Sequence, residues 1–258
     1  MTGRLWALGL GLWAATLAAA PSPLRVSFHH IHVNDDKARH LLEYYGKLFD
    51  RSTTHDAAIG AVHGIESGGI YLLVTEVPRP PVDEGAAGWH FGWGTVSVRE
   101  AYDRHRMQEI EWTLPLESFA KDLHVHLESE DPIAAGNWYR DTFGAELETE
   151  PSNAAVQPLK AMYRRPVAIA RLDGVALAIY KSAGPLRASP GHRIDHLAFT
   201  ADLAAARVAA LTVLNDSGRL GPFETMTIEG PDRLAIELVG PQILPRHSGD
   251  VVPARRHR

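Results

Sequence analysis

The sequence predicts an α+β protein built from repeated βαβββ modules, their mixed sheets curved into cups with the helices outside. Three observations predict it. A histidine-bearing alternating strand, an acidic turn and an aromatic-rich helix succeed one another in residues 28–50, "FHHIHVNDDKARHLLEYYGKLFD", and again in residues 122–147, "DLHVHLESEDPIAAGNWYRDTFGAEL". Each copy leads into short alternating or continuous apolar segments, residues 61–67 and 69–77 in one and 167–174 and 175–182 in the other, which read as strands. Stretches rich in Pro and Gly, residues 77–88 and 182–191, separate the two copies from the next histidine-bearing segments.

Taken in order, residues 1–20 carry one early positive charge, Arg4, an apolar run over 5–17 and small residues at 18–20. This is the layout of a secretory signal peptide, and the run is short against the roughly 20 residues a membrane span needs. Export to the periplasm or the exterior is the expectation, with an uncleaved anchor as the alternative and no stable membrane span after processing. Unit one comes next. Unit two opens on "GWHFGWGTVSV" and continues into a helix over 99–110, but no strand pair separates "IEWTLPLE" from unit three, so it reads as truncated. In unit three Asp131 and Pro132 read as N-cap and first helical residue, and Gly144 as the residue that ends the helix. Unit four reads as degraded: "HRIDHLAFT", an Ala-rich helix over 202–214, and the strand pair in residues 224–240. Residues 241–258 have little apolar periodicity and read as a loose, basic tail.

Composition narrows the chemistry. The 258 residues contain no cysteine, which excludes thiolate metal sites, cysteine nucleophiles and redox pairs and leaves histidine and carboxylates as the strong ligands. A net charge of -5 and the lack of a basic stripe interleaved with aromatics argue against nucleic acid as a partner and for a small molecule.

Side chains two apart on a strand share a face. His124 and His126 therefore lie together, opposite the apolar Leu123, Val125 and Leu127. On the strand of unit four Ile194, His196 and Ala198 share one face, with Asp195, Leu197 and Phe199 on the other. Aligned by their openings, the four units place His30, His90, His124 and His196 at equivalent positions. In the last strand Leu234, Ile236 and Leu238 form the packing face and Glu237 points away from it. A carboxylate flanked by Ile and Leu is expensive to bury without a cation or donor to receive it.

With these strand openings, "WYRDTFGAE" and the closing "GPDRLAIELVG", the chain from residue 28 to 240 resembles the vicinal oxygen chelate superfamily, which includes glyoxalases, bleomycin-resistance proteins and extradiol dioxygenases. The resemblance implies paired βαβββ modules in two halves, residues 26–114 with a truncated second module and residues 122–240 with the metal site. It implies a divalent metal held by His124, His196 and Glu237. Two imidazoles and a carboxylate with open positions suit Fe²⁺ first, with Zn²⁺, Mn²⁺ or Ni²⁺ as alternatives. Tyr180 stands where glyoxalase-like members usually add a second glutamate, and is expected to donate a hydrogen bond to substrate oxygen. His126 is expected to act as general acid or base, or to replace His124 as ligand. His29, His30 and His32 form a further cluster that reads either as metal-like or as an edge strand facing solvent, and the half that carries them as structural or decayed. The implied activity is that of an enzyme acting on a small molecule with adjacent oxygens, dioxygenase-like or glyoxalase-like. A metal-free binding protein of the bleomycin-resistance type is the alternative, and a homodimer with swapped modules is left open.

Overall fold

The structure is a computed structural model, described for residues 22–48, 54–67, 69–79, 81–82, 85–94, 119–120, 123–154 and 164–242. Residues 1–20, read as a signal peptide, residues 99–110, read as a helix, and most of the tail lie outside the described residues. Unit one comprises β1 (Ser27–Asp35), α1 (Ala38–Leu48), β2 (Thr54–Ile59), β3 (Val62–Ser67) and β4 (Ile70–Glu76). Unit two contributes β5 (Gly88–Gly94) and β6 (Phe119–Ala120). Unit three comprises β7 (His124–Ser129), α2 (Pro132–Phe143), β8 (Glu146–Thr149), β9 (Ala168–Leu172) and β10 (Val175–Lys181). Unit four comprises β11 (Ile194–Thr200), α3 (Leu203–Val208), β12 (Val213–Leu220), β13 (Phe223–Glu229) and β14 (Ala235–Gln242).

Local chemistry sets several boundaries as expected. The Asp131 side chain accepts from the Ala134 amide at 3.0 Å, Pro132 opens α2, and Gly144 closes it in the left-handed region at φ 72°. Such a cap contributes about 0.5–2 kcal/mol. Unit four departs from expectation because it is complete. Its helix stops at Val208, and residues 213–220 form a strand rather than the end of the helix. β12 is an edge strand, exposed along most of its length, so no apolar alternation marks it in the sequence.

The units pair in a nested order. Units one and four share an eight-stranded sheet, β12-β13-β14-β11-β1-β4-β3-β2, and units two and three a six-stranded sheet, β6-β5-β7-β10-β9-β8. This corrects the division into sequential halves at 26–114 and 122–240, since each sheet draws one unit from either side of that boundary. The two seams, β1 with β11 and β5 with β7, are both antiparallel. Within a unit the first strand lies parallel to the last.

One apolar face of each sheet feeds a common core. Ile31, Leu197 and Phe199 from one sheet, Phe91, Val125 and Leu177 from the other, and Tyr45, Tyr139 and Phe143 from the helices are all nearly inaccessible. Phe143 of α2 lies 5.4 Å from Phe199, and Tyr45 of α1 lies 6.1 Å from Phe91, centroid to centroid. Gly88 of β5 must be glycine for the sheets to meet, because a Cβ there would come 2.9 Å from the Ile194 side chain.

The opposite face of the eight-stranded sheet curls. The β2–β3 and β12–β13 turns, from opposite ends of the strand order, touch through Gly60 and Gly221, where a Cβ on Gly60 would lie 2.9 Å from the Gly221 Cα. Ile59, Leu73 and Leu220 pack together beneath this contact.

The nested pairing is tested with a disulfide, the wild-type chain having no cysteine to compete. Ser27 and Thr200 pair across the seam with hydroxyl oxygens 2.5 Å apart. Ser27→Cys with Thr200→Cys should give an oxidised, internally bridged monomer of increased mobility on a non-reducing gel. A bridged dimer would show swapped units, and no bridge would refute the pairing. Phe199→Ala should cost ~3–5 kcal/mol in urea unfolding.

Candidate metal centre

The β1–β11 seam is irregular at two places, and both irregularities serve a histidine. Phe28 pairs with Phe199 and His30 with Ala198, so His29 is an extra residue on β1. His32 pairs with His196 and Val33 with Ile194, so Asp195 is an extra residue on β11. Such bulges re-aim neighbouring side chains. The second one changes an expected face. Ile194 joins Leu197 and Phe199 in the core rather than sharing the face of His196, because the strict alternation breaks at Asp195.

Each extra residue holds the Nδ1 of the histidine after it. His29 Nδ1 lies 2.8 Å from His30 Nδ1, and His196 Nδ1–H donates to Asp195 Oδ1 at 2.7 Å. Asp195 is itself held by Asn34 Nδ2 at 2.9 Å and by the Gly191 amide at 2.7 Å. The Arg193–Asp35 ion pair, 2.7 Å apart and buried, ties the same loop to the end of β1. With their Nδ1 atoms engaged, His30 and His196 turn Nε2 toward each other, 3.3 Å apart.

Glu237 completes the set from β14. Its Oε2 lies 3.5 Å from His30 Nε2 and 3.8 Å from His196 Nε2. Metal–nitrogen bonds of about 2.1 Å put neighbouring donors about 3.0–3.4 Å apart in octahedral or tetrahedral geometry, so a cation fits this triangle after a small contraction. The donor chemistry of His196 fits too, since a carboxylate such as Asp195 behind a metal-binding imidazole fixes its tautomer and orientation. His32 stacks on His196 at 4.5 Å, and its Nε2 shares a 2.8 Å hydrogen bond with the Thr75 hydroxyl. The rings of His30, His32 and His196 offer nitrogens within 4.8 Å of one another. His30 is fully enclosed, while His196 and Glu237 keep 16% and 14% of their side-chain surface, so solvent reaches the centre from their side.

Burial works against every charge here, and local partners decide which group wins. Burial depresses His196, but its hydrogen bonds and attraction to Asp195 and Glu237 outweigh this and raise it to about 9. Burial would raise Asp195, yet His196, the Gly191 amide and Asn34 bring it to about 2. Glu237 is likewise held below its usual range by His196 and Thr225 against its own desolvation. His32 is depressed to about 4, chiefly by burial and then by the neighbouring His196 charge. Burial also drives His30 far down, with His196, His29 and His32 adding to it.

These placements differ from the grouping read from the sequence. His196 and Glu237 come together as expected, but the histidine beside them is His30 from unit one rather than His124. His124 sits on the six-stranded sheet in a separate cluster with His90 and His126. His126 and Tyr180, expected as acid–base and hydrogen-bonding groups for the His196–Glu237 centre, are also there, 3.4 Å apart from Nε2 to hydroxyl. The equivalence of His30, His90, His124 and His196 stands in the strand register, whereas Tyr180 does not match Glu237. Glu237 pairs with Ala198, two residues past His196, and Ala178 occupies that place on β10 by pairing with His126. In unit one the place belongs to Leu73, paired with His32. The register of a parallel pair carries no mark in the sequence. The three histidines of "HHIH" in β1 are the sequence signal that pointed to this position.

In the metal-free protein an imidazole NMR titration should find His196 protonated to about pH 9 and His32 neutral down to about pH 4. The stability from His196 is fully present below its unfolded value near 6.5 and is lost as pH rises through 9. Glu237→Gln should bring the His196 titration down. An unmoved His196 would contradict the geometry.

No protein-family model and no curated protein matches the chain by sequence. Solved structures match by architecture. Glyoxalase I from Zea mays aligns at a TM-score of 0.58 and 12% identity, over 84% of this chain and 92% of that one. A candidate dioxygenase from Bacillus subtilis subsp. subtilis str. 168 aligns at 0.51 and 13% identity, over 86% of this chain and 88% of the other. What is shared at such identities is the arrangement of strands and helices. With its βαβββ units paired across antiparallel seams, the chain has the vicinal oxygen chelate fold.

Proposed function

We propose that the chain is an exported metal-dependent enzyme that acts, in the eight-stranded cup, on a small molecule with two adjacent oxygens. The observation that carries this is the triangle of His30 Nε2, His196 Nε2 and Glu237 Oε2, with edges of 3.3, 3.5 and 3.8 Å. A divalent cation held by these three would supply Lewis acidity to the neighbouring substrate oxygens and leave positions open for them. The likeness to glyoxalase I and to a candidate dioxygenase supports the reading at the level of fold.

The chain's own groups divide the remaining work. Asp195 and His29 fix the orientation of the two ligand imidazoles. His32, neutral above about pH 4 and stacked beside His196, is placed to accept or return a substrate proton, with the Thr75 hydroxyl setting its ring. Ile59, Leu73 and Leu220 present an apolar wall on the same side of the sheet and limit water. Leu73 in the place equivalent to Glu237 leaves three protein donors rather than four, which supports ring-cleaving dioxygenase chemistry on Fe²⁺ over a four-ligand glyoxalase-like centre.

A metal-free binding protein is the second reading. The network favours it in one respect, because His196 lies between two carboxylates, bonded to Asp195 at 2.7 Å and 3.8 Å from Glu237, and these hold it protonated.

The test is anaerobic loading with Fe²⁺ followed by oxygen-uptake assays on a catechol panel, with a hemithioacetal isomerisation assay in parallel. Oxygen uptake with a catechol, lost together with one equivalent of metal in Glu237→Ala and His196→Ala but kept in His124→Ala, is the expected result. Metal content unchanged in the first two variants would refute the centre and leave the binder. Export is checked by N-terminal sequencing of protein recovered outside the cytoplasm, which should begin shortly after residue 20.

A further inference from the structure

The six-stranded sheet carries a second set of donors that the proposed centre leaves unused. Its seam repeats the first. Gly88 pairs with Leu127 and His90 with His126, so Trp89 is an extra residue on β5, as His29 is on β1. Matched through these bulges, His90 takes the place of His30. His124, paired with Gly92, takes the place of His196, which pairs with His32.

The third donor is where the two sheets differ. In the eight-stranded sheet the cross-strand pair beyond His196 is Ala198 with Glu237, and the carboxylate is on the last strand. In the six-stranded sheet the same pair is His126 with Ala178. Donor and alanine have exchanged strands, so the position still presents one ligand, now an imidazole from the first strand. The small Ala178 leaves space for it.

The geometry agrees with the register. His90, His124 and His126 offer one ring nitrogen each within 4.8 Å of one another. Ring centroids of His90 and His124 lie 4.6 and 4.8 Å from that of His126. Among the described residues the Nδ1 of His126 is buried with no hydrogen-bond partner, and its Nε2 meets the Tyr180 hydroxyl at 3.4 Å, long for such a bond. A buried nitrogen left in this way is costly unless something else receives its lone pair or proton.

We infer that this cluster is a second metal site, a three-imidazole centre that takes a divalent cation of the imidazole-preferring class such as Zn²⁺, Cu²⁺ or Ni²⁺. The donor set is neutral and has no carboxylate, so it discriminates against Mg²⁺ and Mn²⁺, which prefer oxygen ligands. Three histidines with a further position open are an established arrangement for Zn²⁺. Trp89 and Tyr180, whose rings lie 5.3 and 5.0 Å from that of His126, border that position. The site is independent of the His30–His196–Glu237 centre, since the two share no residue.

The test is a Zn²⁺ titration of the full chain, read by calorimetry and by elemental analysis after desalting, with visible absorption on Co²⁺ substitution as a second readout. Wild type should bind two equivalents, and His124→Ala with His126→Ala should bind one. His196→Ala with Glu237→Ala should keep one equivalent, and the Co²⁺ bands that remain should vanish when His126→Asn is added. Should the double variant fold poorly by circular dichroism, His126→Asn alone should weaken the second equivalent by ~100-fold or more. One equivalent in wild type that survives loss of His124 and His126 would overturn this site. One equivalent that survives loss of His196 and Glu237 would uphold it and refute the centre proposed above. No Zn²⁺ binding would overturn both.

Discussion

The antiparallel seam between β1 and β11 is the constraint on which the candidate centre depends. It joins strands 166 residues apart, and its two extra residues, His29 and Asp195, each sit just before a histidine and hold its Nδ1. A regular ladder would send side chains alternately to core and cup and leave the imidazoles without partners behind them. The bulges supply those partners from the neighbouring residues of the same strands. They also free Ile194 to return to the core, so that the distortion at Asp195 loses little apolar burial.

Three imidazoles and a carboxylate in one half-buried space are electrostatically demanding, and this sheet resolves the demand by assigning the proton. Asp195 and Glu237 hold charge on His196, and that charge together with desolvation keeps His30 and His32 neutral. Buried ion pairs and hydrogen-bonded charges contribute little net stability, but breaking one partner away is costly. The Arg193–Asp35 pair and the Asn34–Asp195 hydrogen bond, both within the same few residues, act chiefly to hold the loop in register.

The six-stranded sheet uses the same plan with different chemistry. Both sheets turn their apolar faces to a common core and keep their histidines on the other side, so each cup can change its donors without disturbing the packing that joins them. The exchange of Ala198 and Glu237 for His126 and Ala178 is a change of this kind. It alters charge and ligand type within one cross-strand pair and leaves Val125, Leu177 and Leu197 buried.

Short-range features were legible in the sequence by itself. The caps of α2 are set by Asp131, Pro132 and Gly144, the faces of β7 by the alternation in "LHVHL", and the packing of β14 by Leu234, Ile236 and Leu238, because a helix end or a strand face depends on neighbours within a few residues. The repeated unit and its equivalent histidines were legible for the same reason. Which unit pairs with which was not, since any of the seams satisfies the same local patterns and only the fit of two curved sheets through a shared core selects the nested order. That choice put His30, not His124, beside His196 and Glu237. The bulges at His29 and Asp195, the edge strand β12 and the match of Ala178 to Glu237 likewise arise from pairing between distant strands, where register depends on backbone hydrogen bonds that every residue can make.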